Sequence, residues 1–112
     1  MQITRYNNGP LPTPLEANAY RVGGEFALPR EDALAYLSWC QEVGLEVTGF
    51  EVWLPTSPGP TLLSFPATGD AAWCSQIIAS SDYSARSERY GLSVVYNIWA
   101  SEGSVATIGD AA

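Results

Sequence analysis

Histidine and lysine are both absent from this chain of 112 residues, so its five basic side chains are all arginines. Without histidine, the commonest general base and metal ligand is missing. Without lysine, Schiff-base chemistry and the phosphate-binding P-loop are excluded. Two cysteines with no histidine to activate them rule out a papain-like pair. Cys40 and Cys74 also lie outside any redox or zinc-binding spacing. Charged residues make up only 15% of the chain, against a usual share of about a quarter. No apolar stretch approaches the roughly 18 residues of a membrane span. Residues 1–8 are polar and carry no signal-peptide pattern. The expected compartment is therefore the cytoplasm, and the expected state of both thiols is reduced.

Hydrophobic residues make up 46%, enough for one core without metal or disulfide staples. The formal charge is −7, from twelve acidic and five basic residues. That balance repels nucleic acid and anionic lipid, whose recognition needs clustered cations. It favours a basic protein partner, and it also simply aids solubility. Thirteen aromatics are present, but few basic residues are interleaved with them, which argues against a stacking platform for single strands.

The plan of the chain shows in residues 28–54. Pro29 suits a first helical position, and Glu31 and Asp32 put negative charge beside the positive end of the helix dipole. Ala33, Leu37 and Cys40 recur at i, i+4 and i+7, with Leu34 beside them, and Gly44 can close the helix in the left-handed region. A helix over about 29–43 follows. In the next strand, residues 45–54, Leu45 and Val47 share one phase and Phe50, Val52 and Leu54 the other. A period-2 strand changes phase only by inserting a residue, and a bulge at Gly49 with positive φ is expected. Glu51 and Trp53 then point together away from the core. An indole beside a carboxylate there is an interface candidate, and the alternative is that Trp53 covers a second small cluster.

Elsewhere the signals are local. Residues 2–6 suit a short strand, and Asn7-Asn8-Gly9-Pro10 is a turn signal. Residues 17–28 fit a strand pair or one bulged strand around Gly23-Gly24. Three prolines in residues 55–60 force a loop before a strand at 61–65. Residues 66–70 read as loop, and Trp73-Cys74 as irregular. Residues 82–98 fit either one helix or a helix ending at Gly91 followed by a strand. Propensity favours the second, because Leu92, Val94, Tyr96 and Ile98 alternate. Residues 101–112 are small and polar apart from Val105 and Ile108. Glu42, Glu46 and Glu51 fall on different elements, so a glycosidase-like carboxylate pair is not expected.

Several of these stretches together resemble the immunity protein 40 family of bacterial polymorphic toxin systems. They are Phe26-Ala27-Leu28-Pro29-Arg30-Glu31-Asp32-Ala33-Leu34 with its helix, Gly49-Phe50-Glu51-Val52-Trp53, the hairpin, and Ala72-Trp73-Cys74. In that family a helix opening on an acidic-Ala-Leu sequence runs into a strand with a Gly-Gly-Asp-Val-aromatic signature. A Trp-centred segment and a C-terminal helix follow. Gly49, Val52 and Trp53 match the strand, with Phe50 for the second Gly and Glu51 for Asp. Trp73 matches the Trp, and Tyr83 and Ser87 align with the start of the last helix. The resemblance spans roughly residues 23–96.

It implies a non-enzymatic cytoplasmic protein that binds and neutralises a cognate toxin domain by occlusion, and a more helical final segment. The expected fold is a single α+β domain over residues 1–112: mainly antiparallel sheet against the long helix, with a second, C-terminal helix. The candidate partner-binding residues are Glu46, Glu51, Trp53 and Trp73. No catalytic residue, metal or cofactor is expected. The competing reading is a small structural or assembly protein, a homodimer formed through sheet edges or an exposed Trp. A carboxylate-dependent enzyme stands third.

Overall fold

The computed structural model describes residues 2–64 and 66–102. The expectations for residues 103–112, and for Phe65, lie outside the described residues. The fold is α+β, with antiparallel strands and helices packed on them.

Helix α1 runs Arg30–Val43, with Pro29 one position before it and Gly44 closing it at φ 79°. Its anticipated face is the buried one: Ala33, Leu37 and Cys40 are fully buried, joined by Tyr36. Strand β5 (Glu46–Leu54) follows and is the centre of the main sheet. One of its edges carries β6 (Thr61–Leu62) and β7 (Ala67–Thr68), and the other carries β8 (Val95–Ser101). All these pairings are antiparallel.

Two hairpins precede α1. In the first, β1 (Ile3–Tyr6) pairs with β2 (Gly9–Pro12). Gly9 and Pro10, read from sequence as turn, open β2 and are buried. In the second, β3 (Tyr20–Val22) pairs with β4 (Glu25–Ala27) around Gly23 and Gly24 at φ 57° and 79°. Both central residues with positive φ are what a two-residue hairpin of this twist requires, so the strand pair is the form taken.

Three expectations need correction. Trp73 and Cys74, read as irregular, lie in helix α2 (Ala71–Ser80). The Asp70 carboxylate accepts a 2.9 Å bond from the Trp73 N–H and caps it. Residues 92–99 do not continue the helical character that the resemblance implies. Helix α3 (Ser84–Tyr90) closes on Gly91 in the left-handed region, and β8 begins at Val95. Within residues 66–70, read as loop, β7 is a further strand.

Helices α1 and α2 cover one face of the sheet. Their buried residues meet Phe50, Val52, Tyr96, Ile98 and Ala100 in a single core. The free edge of β8 is held by remote chain. Leu28 and Tyr96 exchange backbone bonds of 2.9 and 2.7 Å. Asn8, fully enclosed, donates through Nδ2 to the carbonyls of Phe26 (3.1 Å) and Ile98 (2.7 Å), and its Oδ1 accepts from the Phe26 N–H (3.0 Å). One side chain thus pins the first hairpin to β4 and β8, and satisfies backbone groups that burial would otherwise orphan.

Candidate functional site

The face of the sheet turned away from the helices is built from alternate residues of β5 and β8. Across the two strands Glu46 faces Ser101, Gly49 faces Trp99, Glu51 faces Asn97, and Trp53 faces Val95. The register slips between Val47 and Gly49, so the inserted residue is Thr48. This bulge produces the phase change foreseen in the sequence. The expected positive φ at Gly49 is overturned, because Gly49 is not among the residues in that region. Gly49 is needed for space instead: a Cβ there would collide with the Ala67 carbonyl oxygen of β7.

Glu51 and Trp53 do share the face opposite the core residues Phe50 and Val52. Trp53 is nevertheless not an exposed anchor. It is 7% exposed and packs with Ala27 and Val95 beneath Tyr20 and Val22 of the second hairpin. Tyr20 meets its indole edge-on at 6.3 Å. Its Nε1–H donates to Glu51 Oε1 at 2.9 Å. Trp53 therefore covers a second small cluster and leaves the set of surface candidates.

A second indole on this face remains open. Trp99 is 39% exposed. Its Nε1–H donates to Asn97 Oδ1 at 2.8 Å, and Asn97 Nδ2 is held by the Phe26 carbonyl (2.9 Å) and Glu25 (3.3 Å). The two strands thus repeat one device. In Glu51-Val52-Trp53 and in Asn97-Ile98-Trp99, the indole N–H is bound by the acceptor two residues earlier on the same face. That recurrence of acceptor, aliphatic residue and Trp is visible in the sequence and would have pointed to Trp99. Between Trp99 and the β7 edge lies an open groove of about 350 Å³, lined also by Thr48, Glu51, Pro66 and Thr68. Among the described residues, Glu51 is the one ionisable side chain in its lining.

The four sequence candidates are not brought together. Glu46 and Glu51, expected on different elements, both belong to β5: Glu46 is exposed at its start, and Glu51 is half-buried under the indole it binds. Trp73 belongs to the helical layer, 6.4 Å from the Phe50 ring and stacked over Gly69, where a Cβ would meet its ring. Its neighbour one turn on is Ile77, and each is 38% exposed. Helix α2 contains no charged residue. Its outer face is thus uncharged on a strongly acidic protein, with Trp73 and Ile77 exposed beside the polar Gln76 and Ser80.

A larger cleft, about 540 Å³, lies where the start of α1 meets α3, with Arg30, Glu31, Asp32 and Asp82 in its lining. Its charges are of both signs. The Ser81 and Tyr96 hydroxyls pair at 2.8 Å there, and burial pushes the Tyr96 phenol above its ordinary range. Asp82 accepts the Ser84 N–H at 3.0 Å, which holds its carboxyl below the usual range.

Both cysteines are free and buried. Burial pushes Cys40 up to about 12 and Cys74 up to about 11. Thiols so protonated at neutral pH are poor nucleophiles. Among the described residues no three of Cys, Asp or Glu converge as a metal site would require, and no helix is long and apolar enough to cross a membrane. In comparisons with known proteins, no family model, no curated protein and no solved structure matches this chain.

Proposed function

We propose that this chain is a non-enzymatic binding protein of the immunity type, which neutralises a cognate bacterial toxin domain in the cytoplasm by docking over it and occluding its active site. The class of partner comes from the resemblance of residues 23–96 to the immunity family. The binding itself is supported by one observation: the exposed pair Trp73 and Ile77 on a helix without charge, in a molecule of charge −7. Aromatic residues on apolar patches are the usual anchors of protein interfaces. The surrounding acidity selects a basic partner and speeds its encounter. Self-association through the same patch would instead bring two acidic molecules together, which favours the basic toxin over a homodimer.

The test is a search of the neighbouring genes for a toxin domain and co-expression with it, together with binding kinetics. The wild type should rescue growth. Trp73→Ala should speed dissociation and cost at least about 2 kcal/mol, as anchor residues do. Glu46→Gln should slow association and weaken its salt dependence. Absence of both rescue and binding by the wild type would overturn the reading. A dimer in sedimentation that Ile77→Asp dissolves would replace it with the assembly reading.

A further inference from the structure

We propose that the groove between Trp99 and the β7 edge is a receptor for a cationic side chain, an arginine presented by the protein partner. The inference rests on the binding-protein reading for the source of that arginine, and on the groove alone for its chemistry. Trp99 supplies one wall, and its indole is held at both levels of support: Nε1–H on Asn97 Oδ1, and Asn97 in turn on the Phe26 carbonyl. Glu51 supplies the charge and is held by the Trp53 indole through Oε1. Among the described residues no hydrogen bond engages its Oε2, and each carboxylate oxygen can accept more than one donor. Side chains oriented in this way lose little freedom when a ligand arrives.

The rest of the lining is chosen as if for a cation. Thr48 and Thr68 are neutral acceptors, Pro66 and Ala67 add apolar surface, and no basic side chain opposes entry. Thr48 stands in the groove because the bulge turns it outward. A guanidinium is planar, stacks on an indole and forks onto a carboxylate, so it meets both walls at once. A neutral polar group would meet only one of them.

The groove can be tested without any toxin. The probe is N-acetyl-arginine methylamide, and the readout is the four tryptophan indole N–H resonances of the full chain, with Trp99 assigned from Trp99→Phe. The expected result is a saturable shift of the Trp99 resonance in the millimolar range, the scale for so small a ligand. The neutral isostere N-acetyl-citrulline methylamide should bind at least about fivefold more weakly, since it keeps the shape and loses the charge. Glu51→Gln should weaken arginine binding by a similar factor. Its amide oxygen can still accept from Trp53, and unmoved Trp39 and Trp73 resonances, remote from the substitution, certify the fold. An unresponsive Trp99, equal binding of citrulline, or an unaffected Glu51→Gln would each overturn the proposal. Toxin binding that leaves the Trp99 resonance unmoved would refute the groove alone. Arginine binding with no toxin binding would refute the immunity reading alone.

Discussion

A Cβ at Gly49 would collide with the Ala67 carbonyl oxygen, while the backbone there lies outside the left-handed region. Gly49→Ala and Gly49→Val should therefore both destabilise, by about 1–3 kcal/mol, the cost of forcing atoms into filled space. Asn, which tolerates positive φ, should bring no relief at this position. Urea unfolding of the three variants checks this, and a neutral Gly49→Ala would refute it. Trp53 illustrates the converse case of a large side chain that fills its space. Trp53→Ala would remove an indole from under Tyr20 and Val22 and leave Glu51 without its N–H donor. The expected loss is about 3–5 kcal/mol. Calorimetry should show a lower melting temperature for this variant, and a melt like the wild type would return Trp53 to the surface.

Helix α2 shows what a short element needs in order to exist. It packs against α1 and β5 through Ala71, Cys74 and Ile78, and its first turn is closed by the Asp70 carboxylate. Asp70→Ala should cost about 1 kcal/mol, and Asp70→Ser should recover most of it, because a hydroxyl can cap the same N–H. Denaturant midpoints measure both. Equal stability of all three would mean that packing alone holds the helix. The irregular reading of this segment from sequence has a physical origin. Ala-Ala-Trp-Cys carries no charge pattern, and its apolar residues lie on both the inner and the outer face. The outward Trp73 and Ile77 blur the periodicity that marks α1.

For the molecule as a whole, the buried thiols set a limit on the alkaline side. A thiol of the unfolded chain ionises near its ordinary value of 9.0, whereas Cys74 and Cys40 in the fold wait until about 11 and about 12. Above pH 9 the unfolded state therefore loses protons more readily than the native one. Stability from this source is intact below pH 9 and declines as pH rises toward 11–12. Replacing each cysteine by Ala should remove that cysteine's share of the decline. The measurement is unfolding free energy against pH, with thiol titration alongside. The native protein should react slowly at pH 8 and yield two thiols once denatured without reductant. Rapid native reaction would show that the helical layer opens, and no thiol after denaturation would show a disulfide.

What the sequence determined by itself was local or compositional. Pro29, the acidic first turn, the i, i+4, i+7 face and Gly44 define α1 within a residue, because capping and periodicity act over one or two turns. The phase change in β5 likewise announces a bulge, since alternation is a property of one strand. The absent histidine and lysine exclude whole chemistries without reference to any fold. Only the tertiary structure decided which outward-facing indole would stay outside. Trp53 and Trp99 sit in the same local pattern on neighbouring strands, each bound to the acceptor two residues before it. Tyr20 and Val22, from a hairpin some thirty residues earlier, close over the first and not the second. Burial of a sheet face depends on which distant segment docks there, and that is set by packing of the whole chain rather than by the strand's own residues.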